Sequence, residues 1–119
     1  MVMLGAAVGG LGRYAITTVI TAKFGGNFPL GTFLVNLSGS FLIGVAMTLI
    51  TERWIVHPNW WLLLVVGVLG GYTTFSSLEF ETLQAVRRGL PGIGLLYAFG
   101  SLILGYAAVW LGMTVASRP

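Results

Sequence analysis

Residues 67–78 read Gly67-Val68-Leu69-Gly70-Gly71-Tyr72-Thr73-Thr74-Phe75-Ser76-Ser77-Leu78. Adjacent glycines followed by two β-branched threonines weaken a helix, and here they lie inside a long apolar stretch. A break at membrane depth frees backbone carbonyls, which are tolerated there only when they face protein, water or an ion. Such oxygens suit a hard cation, and half-helix ends in transporters bind Na⁺ in this way. A close glycine contact within an unbroken helix explains the same residues, so both interpretations stay open.

The composition requires lipid as the solvent for most of the chain. Of 119 residues, 56% are hydrophobic and 8% are charged, and the mean hydropathy is +0.93. Soluble domains carry roughly 25% charged residues, and a small domain cannot bury this much apolar surface. The six basic residues are scattered, which argues against nucleic-acid binding. The absence of cysteine excludes disulfides, thiolate metal sites and thiol catalysis.

Four apolar stretches are long enough to cross a bilayer as helices, which takes about 20 residues each. Their approximate bounds are 2–22, 30–51, 60–86 and 92–115. We therefore expect an all-α integral membrane protein, a single four-helix transmembrane domain over 1–119 with the third helix broken near its middle. A cleaved signal peptide is the alternative for the first stretch, but that stretch lacks a basic leader and Arg13 interrupts it.

The loop charges are nearly balanced between the two sides of the membrane. Lys23, Arg87 and Arg88 fall on one side, and Arg53 and Arg118 fall on the other. Because the Lys/Arg bias of short loops sets orientation, this chain could insert both ways up. Two oppositely oriented copies could then form an isologous dimer around an axis in the membrane plane. Orientation by lipids or by the amino terminus is the alternative interpretation.

The second stretch carries small and polar residues at four-residue steps, which places them on one face of a helix. They are Thr32, Asn36, Ser40, Gly44 and Thr48. Small residues in this pattern are typical of helix-packing contacts. Asn36 is the exception, because a buried amide has two donors and an acceptor to satisfy. An amide N–H is also a good partner for a small anion.

Three motifs follow one another along the chain: Gly9-Gly10-Leu11-Gly12-Arg13-Tyr14, then Gly31-Thr32-Phe33-Leu34-Val35-Asn36 continuing to Gly39-Ser40-Phe41, and Gly70-Gly71-Tyr72-Thr73-Thr74-Phe75-Ser76. In a four-helix chain of this length they resemble the Fluc (CrcB-type) family of dual-topology fluoride channels. The resemblance implies an antiparallel homodimer with two anion pores in the cell (inner or plasma) membrane. Such a dimer would export cytoplasmic fluoride passively and relieve fluoride toxicity. Its partners would be fluoride, the lipid bilayer and a second copy of the chain.

The same resemblance implies roles for individual residues. A structural Na⁺ at the dimer interface would be held by main-chain oxygens of Gly70 and Thr73 from both subunits. Arg13 would lie near the pore entrance and Glu81 near one pore end. The residues expected along the fluoride path are Asn36, with its amide, Phe75, with its ring edge, and Thr32, Ser76, Leu78, Tyr97 and Ser101.

Two positions depart from the family pattern. Leu78 stands where the family has a second pore phenylalanine, and Gly105 stands where a further serine is expected. Leucine keeps an apolar wall but lacks the positive edge of an aromatic ring. Either Phe75 suffices, or the neighbouring Phe80 compensates, or conduction is altered.

Three other classes of protein explain these residues less well than a channel does. A small multidrug exporter needs a membrane-embedded carboxylate in the first helix, but no Asp or Glu precedes Glu52. A non-conducting assembly subunit would explain the glycines, but not Asn36 together with the break at 70–73. An enzyme is the least expected, because no nucleophile, base and orienting group converge, so we expect no catalytic residue.

Overall fold

The computed structural model describes residues 1–53 and 57–118, which are almost entirely helical and contain no strand. Helix α1 covers Val2–Phe24, and α2 covers Leu30–Thr48 and continues into a π-helical turn at Leu49–Arg53. Helix α3 covers 58–72 and consists of Pro58–Trp60, a π-helical part at Trp61–Leu69, and Gly70–Tyr72. Helix α4 covers Phe75–Arg87, and α5 covers Pro91–Ser117.

These helices form four membrane spans: Val2–Phe24, Leu30–Glu52, Pro58–Arg87 and Pro91–Ser117. The third span contains both α3 and α4. At a rise of about 1.5 Å per residue, each span covers the ~30 Å hydrocarbon core. The expected all-helical architecture with four membrane spans is confirmed, and each span begins and ends within two residues of its expected bounds.

Local chemistry explains where the helices begin. Pro91 occupies the first position of α5, where its missing N–H costs nothing. The His57 ring caps α3, because its Nδ1 accepts the Asn59 N–H at 3.1 Å. Between α4 and α5 the chain turns through Gly89, whose φ of 78° glycine adopts without steric cost.

Glycines bring α1 directly against α3. A Cβ built on Gly5 would lie 2.8 Å from the Cα of Gly67, and one on Gly71 would lie 2.8 Å from the Ala6 carbonyl oxygen. Close backbone approach of this kind is how helices associate in lipid, where hydrophobic burial supplies little. Gly71 thus makes a close packing contact, but the helix is broken just after it, so the interpretation as an unbroken helix is wrong.

A second glycine contact joins α2 to α5. A Cβ on Gly44 would lie 3.1 Å from the Met113 backbone nitrogen, and one on Gly112 would lie 3.1 Å from that of Val45. Gly44 belongs to the four-residue stripe of α2, so that part of the stripe serves helix packing as expected. The subunit thus contains two tight helix pairs, α1 with α3 and α2 with α5, and α4 packs on α5.

Few side chains are fully enclosed by the chain itself. Val35 and Tyr97 have no exposed surface, whereas large apolar side chains along α1 and α5 are mostly exposed. Apolar surface on this scale belongs in contact with lipid or another chain rather than with water.

Candidate functional site

The third span is interrupted at Thr73 and Thr74. Both residues are extended, with ψ of 157° at Thr73 and φ and ψ of −149° and 122° at Thr74. Helix α4 restarts immediately, because the Thr74 Oγ1 accepts the Ser77 N–H at 3.2 Å as an N-cap. The predicted break in the third helix is confirmed.

Asn36 on α2 holds the break by two hydrogen bonds to one residue. Its Nδ2 donates to the Thr74 carbonyl oxygen at 3.0 Å, and its Oδ1 accepts the Thr74 N–H at 2.8 Å. In an unbroken helix the Thr74 N–H would bond to the Gly70 carbonyl. The amide therefore replaces a helical partner and fixes its own orientation. One Nδ2 hydrogen remains for another acceptor.

A groove of about 530 Å³ borders the break. The Ser101 Oγ is buried there and has no hydrogen-bond partner among residues 1–53 and 57–118. Phe75 is 73% exposed in the single chain. Leu78 follows Phe75 by three positions and so shares its helix face. Six of the predicted site residues line this groove: Asn36, Gly70, Thr73, Phe75, Leu78 and Ser101.

Thr32 and Tyr97, two further residues expected on the fluoride path, both contact Glu81. Its Oε1 accepts the Thr32 hydroxyl at 2.8 Å and its Oε2 accepts the Tyr97 hydroxyl at 3.2 Å. Because Thr32 and Tyr97 are buried, the carboxylate supplies an acceptor to two hydroxyls that are shielded from solvent within the chain. Neither residue lines the groove beside Asn36, so the structure divides the expected path between two places.

A second, polar cavity of about 730 Å³ contains Thr32 and Glu81 and lies between α1, α2 and α4. Arg13, Ser77 and Arg88 also line it. Two arginines and one glutamate among its lining residues give this space an excess of positive formal charge.

The sequence of this chain matches a protein family over most of the chain. A sequence model described as "CrcB-like protein, Camphor Resistance (CrcB)" matches residues 1–113. The chain belongs to the CrcB family. Four hydrophobic spans together with this membership make it a multi-pass protein of the cell membrane.

Several curated relatives of this CrcB-family chain are named fluoride-specific ion channel FluC. The protein of Solibacter usitatus is 57% identical over 99% of this chain and 97% of its own length. That of Acidobacterium capsulatum is 46% identical over 98% and 94%, and that of Thermus thermophilus is 47% identical over 94% and 89%. The resemblance to this family is therefore confirmed.

Some residues expected in the site of this CrcB-family chain lie elsewhere. Ser76 is exposed, lies 3.4 Å from the Thr74 hydroxyl and borders neither cavity. Phe80 is also exposed and does not line the groove. It follows Phe75 by five positions, which turns it well away from that ring on a helix. Within one subunit, Phe80 does not take the place that Leu78 leaves without an aromatic ring.

Sequence reasoning missed Thr74, which both caps α4 and anchors Asn36. A signal for it exists, because threonine is a favoured N-cap residue and Thr74 lies at a suspected helix start. The Ser40 side chain and the Tyr106 ring also line the groove and were not assigned to it. Nothing in the sequence relates Tyr106 to the break, since it lies some thirty positions later.

The backbone around the break fits a hard monovalent cation. The Thr74 N–H no longer occupies the Gly70 carbonyl, and both Gly70 and Thr73 face the open groove. Unwound carbonyls at half-helix ends bind Na⁺ in transporters. Within the described ranges no three His, Cys, Asp or Glu side chains cluster in the way a transition metal would need.

Proposed function

We propose that this chain is a passive, fluoride-selective channel of the cell membrane that lets cytoplasmic fluoride leave the cell and so relieves its toxicity. The named relatives support this function, since each is called a fluoride-specific ion channel. The observation that carries it is the groove beside the break. The groove is lined by the fixed amide of Asn36, by the Ser101 hydroxyl, which is buried and has no partner among the described residues, and by the exposed ring of Phe75.

Fluoride is small and strongly hydrated, so a pore must replace the water that the ion loses. The second Nδ2 hydrogen of Asn36 and the Ser101 hydroxyl are neutral donors, which attract an anion without trapping it. The Phe75 ring adds the weak attraction of its positive edge. Helix α4 begins at Phe75, and its N-terminal end contributes further positive potential beside the groove.

A second copy of the chain would close the groove, which is open in a single subunit. In one subunit Phe75 is 73% exposed and Tyr106 is 79% exposed along the same groove. An inverted copy, which the balanced loop charges permit, would cover these rings and exclude lipid from the polar groups. The Gly70 and Thr73 carbonyls of both copies would hold one Na⁺, whose charge would stabilise the dimer and attract the anion.

The residues support passive conduction rather than coupled transport or catalysis. Helix α1 carries no Asp or Glu with which a drug exporter would exchange protons. Glu81 lies on α4, where two hydroxyls engage it. A non-conducting assembly subunit would need neither a fixed amide nor a donor left without a partner in the groove.

A fluoride-electrode measurement on proteoliposomes tests this function. We expect the parent to empty the vesicles of fluoride rapidly and Phe75→Ile to slow the efflux at least about tenfold, because aliphatic groups lack the positive ring edge. Phe99→Ile is the matched control, since Phe99 is 59% exposed on α5 and lies outside the groove.

Two results would contradict the proposal. Vesicles that hold their fluoride gradient with folded parent protein would support a non-conducting subunit, and proton-driven uptake of a cationic drug would support an exporter. If Phe75→Ile and Phe99→Ile slowed efflux equally, the protein would still be a fluoride channel, but the groove beside the break would not be its fluoride path.

A further inference from the structure

Arg13 on α1 contacts the end of α3 just before the break. Its Nε donates to the Gly71 carbonyl oxygen at 3.3 Å, joining α1 to the last turn of α3. The carbonyls of a last helical turn have no helical partner and carry the negative end of the helix dipole. An arginine is well suited to that end, because it supplies both a donor and a positive charge.

Close helix packing makes this contact reachable. The bare Gly71 backbone lets α1 approach α3, and the Tyr72 ring beside it packs 3.8 Å from a Cβ position on Gly12. The Tyr72 hydroxyl lies 2.9 Å from the Ser38 Oγ on α2. The end of α3 is therefore held from α1 and α2 together, one residue before the extended pair.

We infer that Arg13 is a positioning residue that caps the end of α3 and thereby sets the geometry of the break, rather than an entrance charge that attracts anions. The inference rests on the proposed function for its effect on flux. Asn36 on α2 bonds Thr74 and Arg13 on α1 bonds Gly71, so side chains from two different helices fix the backbone just before and within the break. Removing either clamp lets Phe75 and the released carbonyls move.

The two roles make opposite predictions for Arg13→Lys. Lysine keeps the positive charge but places a methylene group where Nε donates. A positioning role predicts that Arg13→Lys and Arg13→Gln both slow fluoride efflux by about tenfold, the effect of losing one charge-assisted hydrogen bond. An entrance-charge role predicts parent-like efflux for Arg13→Lys and a defect of Arg13→Gln that high salt reduces by screening.

The test compares both variants with Lys23→Gln, which removes one positive charge from the end of the same helix. Lys23 lines neither cavity. Efflux is measured at about 0.1 M and about 1 M ionic strength, where the Debye length falls from roughly 10 Å to 3 Å. We expect the loss in both Arg13 variants to persist at high salt and to be non-additive with Asn36→Ala in a double-mutant cycle. Parent-like efflux by Arg13→Lys, or strict additivity, would overturn the inference.

Amide hydrogen exchange separates this inference from the proposed function. In peptides covering 70–78, we expect exchange to quicken by about tenfold in Arg13→Gln and in Arg13→Lys, and to stay unchanged in Lys23→Gln. This measurement needs no conduction, so it remains decisive if the parent carries no fluoride. Unchanged exchange in a folded Arg13 variant would refute the clamp whatever the flux shows. If Arg13→Gln does not fold, the same exchange measurement on Arg13→Lys tests the inference.

Discussion

Replacing Asn36 with aspartate tests whether the clamp on Thr74 is needed for conduction. The carboxylate can still accept the Thr74 N–H, which now lies 2.8 Å from Oδ1. Its second oxygen, however, would stand where Nδ2 donates to the Thr74 carbonyl at 3.0 Å, so two acceptors would face each other. Losing that donor and leaving a carbonyl unsatisfied costs roughly 2–3 kcal/mol. At equilibrium, this lowers the population ratio of subunits with Thr74 bonded to residue 36 to subunits without that contact by about 30- to 150-fold.

We therefore expect Asn36→Asp to lower the initial fluoride efflux from proteoliposomes at least about tenfold, and its negative charge would also repel the anion. Asn59→Asp is the matched control, because Asn59 is exposed at the start of α3 and far along the chain from the break. Efflux from folded Asn36→Asp as fast as from the parent would refute the reasoning, since the variant leaves the fluoride path without its amide donor.

Two further predictions concern the carboxylate and the cation. Glu81→Ala should lower protein stability by roughly 2–4 kcal/mol, because the buried Thr32 and Tyr97 hydroxyls lose their acceptor; Glu79→Ala, on the exposed face, should change it by less than about 0.5 kcal/mol. Equal unfolding temperatures of the two variants in detergent would contradict this. Replacing bath Na⁺ with a larger organic cation should reduce both efflux and the cross-linked dimer fraction, and unchanged values of both would argue against a cation at the Gly70 carbonyl.

Much of the fold could be predicted from composition and local pattern. Span length and hydropathy depend only on neighbouring residues, so all four spans were predicted to within two residues. The break was visible because glycine and β-branched residues weaken a helix wherever they occur. Asn36 stood out since an amide inside an apolar helix needs partners.

The pairing of polar groups could not be predicted in the same way. Asn36 meets Thr74 across 38 residues, and Arg13 meets Gly71 across 58. These contacts depend on how whole helices are placed, which no local pattern encodes. For the same reason the contact of the Thr32 hydroxyl with Glu81, 49 residues away, was not predicted.

The two glycine-lined helix pairs have a consequence for how the subunit is made. Helix α1 packs on α3 and α2 packs on α5, so each pair has another span between its members in the chain. Synthesis proceeds from the amino terminus, so α1 enters the bilayer before α3 has been made. Likewise, α2 can pack against α5 only after the last span has been made. The unwound turn is held by side chains of both α1 and α2. It can therefore reach its final conformation only after α3 has entered the bilayer and packed against these two helices, which were inserted earlier.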